Sequence, residues 1–294
     1  MSSKSLAHLE IPGLVRLVSG NGGLAKINVT TKAGTAEIYL QGAHVTGFQK
    51  HGEPPLLFMS RLGQFAPGKP IRGGVPICFP WFGPREGDAV HGFARVTEWE
   101  LVRTAATPDG AVTLIFRLPE IPGRAAWKHL SAEMAVTISD QLTMEMTAAN
   151  DARGATAEIE NCLHTYFHVG DIGKVKVRGL KGARFLDKAD QGAVKLETHE
   201  ALPIFAETNR VYHDTPGTVE IIDEQLNRTI RIEKSGSADT VVWNPWTTQI
   251  MPDFDPAEHR RMVCVESGNV GRNKITLVPG ASATLKVAIS SRAS

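Results

Sequence analysis

Long apolar runs, helical periodicity and an excess of either charge are all missing from this chain of 294 residues. Without a stretch of some twenty apolar residues there is no span for a bilayer. The start, MSSKSLAHLEIPGLVRL, has no apolar core of signal-peptide length, so a cytoplasmic protein is expected. Thirty-two basic residues against 31 acidic leave a formal charge of +1, with no basic run. That removes the electrostatic motive for binding nucleic acid or an anionic membrane surface. Any anion bound here must be small and met by a few local charges. Cysteine is scarce and odd in number: Cys78, Cys162 and Cys264 lie far apart in the apolar contexts PICFP, ENCLH and MVCVE. No disulfide framework and no zinc-ligand spacing follow from them, and buried free thiols are expected.

What is present is alternation. Segments such as AEIYLQG from Ala36, AVTLIFRL from Ala111, and AEMAVTI with LTMEMTA on either side of Ser139-Asp140-Gln141 repeat with period two. TVEIID and RTIRIEK flank Glu224-Gln225-Leu226-Asn227, and ATLKVAIS comes near the end. These read as half-buried strands joined by short polar turns, with glycine and proline between them. A hydrophobic fraction of 42% supports a sizeable core. Strands recur without intervening helices, so the expected architecture is all-β: one large antiparallel β-sandwich, with residues 1–294 as a single domain. GQFAPGK at 63–69 fits the first seven places of a phosphate-binding loop, but Pro70 stands where the magnesium-ligating hydroxyl belongs.

A few polar residues sit in apolar surroundings, where burial without partners would cost several kcal/mol. Arg72 is the sole charge in PIRGGVPICFPWFG. HGFAR supplies His91 and Arg95, ENCLHTYFHVGDI has His164 and His168, and RFLDKADQG, VVWNPW and MVCVESGNV supply Asp187, Asn244 and Glu266. Each has an ordinary reading as a turn residue, a satisfied core histidine or a strand residue facing water. The i, i+4 spacing of His164 and His168 suits a metal pair, yet β-branched and aromatic neighbours favour a strand, and no glutamate follows the first histidine as zinc peptidases require.

Taken together and in order, PIRGG, HGFAR, LHTYFHVGDI, FLDK, VVWNPW and VCVESGNV resemble the hexose-6-phosphate mutarotases of the aldose 1-epimerase superfamily, from about Gly42 almost to the end. The resemblance implies a galactose-mutarotase-like β-supersandwich with an open cleft and neither metal nor organic cofactor. It implies His164 as general acid and Glu266 as general base, facing each other across the sugar. It further implies His91 at the sugar ring, Asp187 on sugar hydroxyls, and Arg72 and Arg95 on substrate and phosphate. Val90 and Val96 stand where relatives often carry a polar residue and an asparagine, and His168 where asparagine is common. The implied reaction interconverts the α and β anomers of a hexose 6-phosphate, with glucose 6-phosphate expected. Reference values near about 4.3 for Glu and about 6.5 for His would leave a carboxylate beside a partly protonated imidazole at neutral pH. A free-aldose epimerase, a non-catalytic sugar-binding sandwich and a metal enzyme built on His91, His164 and His168 are the other readings.

Overall fold

The computed structural model describes residues 6–121 and 124–293. Among the described residues there is no α-helix, only 3₁₀ turns, the longest being Pro256–Arg261. No helix among them is long and apolar enough to cross a membrane. Among the described residues the strands make four sheets, every paired strand antiparallel: one of nine strands, one of eight, one of four and one of two. The alternating segments lie where the sequence suggests. Leu130–Ile138 and Leu142–Asn150 form a hairpin about 139–141, and Val219–Asp223 pairs with Arg228–Ser235 about 224–227. Burial along Leu142–Asn150 alternates residue by residue, as a strand with one face in a core requires. The segment Gly63–Lys69 runs as turn and loop, with no helix to carry a nucleotide site.

One apolar cluster joins the large sheets. Leu114, Phe116, Met134, Val136, Met144, Met146, Val287 and Ile289 from the nine-stranded sheet meet Val242, Val263 and Val265 of the eight-stranded sheet. Burying such side chains is worth roughly 1.5–3 kcal/mol each, and this is what holds the layers together. The parity of the strand Met262–Asn269 then positions everything that follows. Val263 and Val265 face the shared core, so Cys264 and Glu266 face the other way. All eight residues of that strand are nonetheless buried, because the second face is covered by the walls of a cleft.

Candidate active site

The cleft, of ≈ 300 Å³, opens on the outer face of the eight-stranded sheet and is lined by Arg72, Phe82, His91, His164, Lys188, Asn209, Trp243, Gln249, Met251 and Glu266, among others. Met262–Asn269 lies between Asp239–Asn244 on one side and the segments Asn161–Leu163 and Tyr166–His168 on the other. The pairs Leu163–Ser267 and Tyr166–Cys264 bracket the position at which His164 and Glu266 lie opposite one another. His164 Nε2 is 3.3 Å from Glu266 Oε1. The ladder is broken here: Thr165 N–H turns back to Leu163 O at 2.9 Å and His164 N–H goes to Pro76 O at 3.0 Å. The imidazole stacks on Tyr166 at 4.9 Å and 14°. Its Nδ1 has no hydrogen-bond partner among the described residues, so the stack and the Glu266 contact are what orient the ring.

This arrangement differs from an acid and a base on opposite sides of a sugar. Adjacent antiparallel strands leave directly opposed side chains about 5 Å apart at Cβ, too close to hold a ring between them. The pair therefore stands side by side. That is also what a hemiacetal asks for, since the hydroxyl and ring oxygens are bonded to the same carbon.

Glu266 is 1% exposed and His164 8%. Burial pushes the Glu266 carboxyl up to about 8, against the smaller opposite effects of the Cys162 thiol and the Lys188 and Arg95 charges. Burial also holds His164 well below the usual imidazole value, helped by the adjoining His91 ring, beside which a second imidazolium would be repelled, and by the charges of Arg95 and Arg72. Near neutrality the site thus holds a carboxylic acid and a neutral imidazole, not the carboxylate and imidazolium that reference values suggest. Both forms carry the same number of protons. They differ by one transfer across the 3.3 Å contact.

His91 has a left-handed backbone (φ 66°), followed by Gly92 at φ 75°. A Cβ on Gly92 would meet Phe79 O at 2.0 Å, so the glycine of HGFAR is what lets this segment pass. Gly83 N–H donates to His91 Nδ1 at 3.0 Å, so the neutral ring carries its proton on Nε2. Burial drops the His91 value to about 3, which keeps the ring a neutral donor.

Arg72 reaches the cleft because Gly74 (φ 61°) lets the chain turn against Val45 O, which a Cβ there would meet at 2.4 Å. Its guanidinium is already engaged. Nε and Nη2 fork onto Asp253 at 3.2 and 3.1 Å, and Nη1 donates to Tyr166 Oη at 3.0 Å. Neither partner stands out in the sequence, since they lie 181 and 94 positions away.

Arg95 and Asp187 do not line the cleft. Arg95 donates to Val90 O at 2.6 Å, and its charge acts on His91, His164 and Glu266 from behind the site. Asp187 pairs in register with Arg210, which pairs with Val242, and so falls on the face of the sheet opposite Glu266. Its carboxylate takes Lys195 Nζ at 2.8 Å. The next residue, Lys188, does reach the cleft and lies over the Phe82 ring at 5.1 Å. Asn209 and Gln249 supply amides that sequence reading does not single out. Trp243 and Phe82 wall the cleft as their apolar character suggests, whereas Trp81 turns away, donating to Ala89 O and packing on Phe93 and Trp127.

His168 lies in a separate recess with Phe58, Glu258 and Arg261, so His91, His164 and His168 do not converge. The group that does converge is His164, Cys264 and Glu266, whose ligand atoms lie within 4.8 Å of one another. Burial pushes the Cys264 thiol well up, as it does the Glu266 carboxyl, so both hold protons where a cation needs anions.

Comparison with known proteins bears on the family and the fold. The family model for aldose 1-epimerase matches residues 25–290. A protein of Cenchrus ciliaris, provisionally named glucose-6-phosphate 1-epimerase, is 34% identical over 93% of this chain and 87% of its own. One of Escherichia coli with the same provisional name is 36% identical over 79% of each. The crystal structure of a protein from Salmonella typhimurium, provisionally described as a mutarotase, superposes with a TM-score of 0.89 at 30% identity, covering 97% of this chain and 96% of that one. The all-β sandwich is therefore that of the mutarotases, and the chain belongs to the aldose 1-epimerase family.

Proposed function

We propose that this protein is a mutarotase that interconverts the α and β anomers of a hexose 6-phosphate, with glucose 6-phosphate as substrate. The observation that carries the reading is the His164–Glu266 contact on the floor of an open cleft, an imidazole nitrogen 3.3 Å from a carboxylate oxygen. In the productive form a proton sits on His164 Nε2 and Glu266 is a carboxylate. Glu266 takes the proton of the anomeric hydroxyl while His164 gives its proton to the ring oxygen. The C1–ring-oxygen bond breaks and C1 becomes an aldehyde. Rotation about C1–C2 presents its other face, and reclosure returns both protons. Nothing is consumed, and no metal or organic cofactor enters the step. Positioned acids and bases contribute roughly 10²- to 10⁴-fold each.

Binding follows from the walls. His91 Nε2–H donates to a sugar oxygen, Asn209 and Gln249 face the hydroxyls, and Phe82 and Trp243 cover the apolar faces of the ring. Arg72 and Lys188 form the positive rim for the phosphate, reinforced by the charge of Arg95 at a distance. Asp187 acts through Lys195 in this reading and not on the sugar. The engagement of Arg72 by Asp253 is the one observation that favours a free hexose instead. The shared core supports reading residues 1–294 as one domain, and three buried free thiols fit a reducing cytoplasm.

Exchange NMR or polarimetry on freshly dissolved hexoses and hexose 6-phosphates tests this directly. Acceleration above the buffer rate, larger for the phosphosugar and lost by at least two decades in His164→Asn, is the expected result. No acceleration of any anomer pair would leave only a sugar-binding sandwich.

A further inference from the structure

The Glu266 carboxylate has two oxygens and the acid–base step uses one. Oε1 faces His164, and Oε2 accepts from the Cys162 thiol at 3.6 Å, the sole hydrogen bond on that oxygen among the described residues. Cys162 is not a stray thiol that happens to be near. It sits on the strand Asn161–Leu163, opposite Cys78 on one side and Gly268 on the other. A Cβ on Gly268 would meet the Cys162 Cβ at 2.7 Å. The missing side chain at 268 thus leaves the space that the Cys162 side chain occupies two residues beyond Glu266. Cys162 is fully buried and does not line the cleft, so substrate does not reach it.

We infer that Cys162 is a positioning residue that orients Glu266 through Oε2 and sets how readily this carboxylate takes and gives a proton. This rests on the reading of Glu266 as the base. The physical argument is the strength of the donor. A thiol donates weakly, a hydroxyl strongly and a methyl group not at all. A weak donor fixes the carboxylate without stabilising its charge so far that it stops being basic. The other groups acting on Glu266 are Cys264 on its own strand, His164 on the neighbouring segment, and the Lys188 and Arg95 charges; Cys78 lies next to Cys162, and His91, Arg72 and Tyr166 surround His164. None of these donates to Oε2.

The test compares Cys162→Ser and Cys162→Ala by pH–rate profiles of anomerisation. The alkaline limb marks loss of the pair's last proton. It should move down in the serine variant and up in the alanine variant, by roughly half a pH unit to one unit each. Opposite displacements of one limb are not produced by loosened packing, so a common direction, or no movement, overturns the inference. A second measurement needs no variant at Cys162. In infrared spectra of the wild-type protein, one S–H stretch should fall in frequency as the Glu266 carboxyl band disappears with rising pH, and this response should vanish in Glu266→Gln. S–H bands indifferent to that ionisation overturn the inference. If Glu266→Gln keeps its activity, the base assignment itself falls. If Glu266→Gln is inactive while the limb ignores both Cys162 variants, only the role of Cys162 falls.

Discussion

Replacing Glu266 by glutamine should cut turnover by at least two decades and at the same time stabilise the protein, by an amount that depends on pH. Glutamine has the shape of glutamate; its carbonyl can accept from the Cys162 thiol and its amide can donate to His164 Nε2, so the site stays filled. The size of the effect follows from linkage. Burial raises the Glu266 carboxyl from 4.5 to about 8. Below 4.5 the group is neutral in both folded and unfolded chains, and its titration contributes nothing. Above 4.5 the unfolded chain gives up the proton and the folded chain keeps it, so the folded state binds more protons and stability falls as pH rises. The slope is about 1.4 kcal/mol per pH unit, and over the interval to about 8 it amounts to about 5 kcal/mol. Glutamine carries no such penalty. Urea denaturation of wild type and Glu266→Gln at pH 5, 7 and 9 should therefore show a gap in favour of the variant that widens with pH and levels off above about 8. Polarimetry on the same samples should show turnover down by at least two decades. A gap independent of pH would mean that Glu266 titrates as an ordinary surface carboxyl, and the account of its protonation would be wrong.

For the wild-type enzyme, the rate of anomerisation should be flat through neutrality and fall above about 8, where the pair loses its last proton; the acid limb should lie well below 6.5 because His164 resists a second one. A profile rising through pH 8 would contradict this. Stability should also drop on acidification. His44, bonded through Nε2 to Gly73 O, is lowered to about 4 and His91 to about 3, so below 6.5 the unfolded chain takes protons that the folded chain refuses. Each contributes about 1.4 kcal/mol per pH unit until its folded value is reached, and His44→Gln should flatten the urea-midpoint slope between pH 6 and 4 by about one proton. Lys188→Met should lower kcat/KM for a hexose 6-phosphate about tenfold and for the free hexose much less, one solvent-exposed charge-assisted contact being at stake. Equal losses for both sugars would assign Lys188 to the sugar and not to the phosphate.

Period-two patterning is a local property, and it was enough to place the hairpins about 139–141 and 224–227 and to call the chain all-β. The charge balance and the scattered thiols were equally legible, and all three cysteines are free and buried. Motif resemblance picked out His164, Glu266, His91 and Arg72, which converge on one cleft. It also picked out Asp187 and Arg95, which do not line it. In Arg184–Asp187 the alternation that hides Asp187 from the cleft is the same one that puts Leu186 on the cleft face and lets Lys188 follow; which parity faces outward depends on the neighbouring strands.

What the chain decides by itself is therefore whatever depends on near neighbours: strands, turns, the lack of a membrane helix among the described residues, and the glycines without which His91 and Arg72 could not be presented. Only the tertiary structure decides which sheet face becomes the cleft, and that the imidazole and carboxylate touch, 102 positions apart, because two strands pair in a single register. Protonation belongs to that second class too. A carboxyl in sequence is an acid near the usual value, and enclosure by Cys162, Cys264, His164 and the cleft walls is what removes water and makes it keep its proton to about 8.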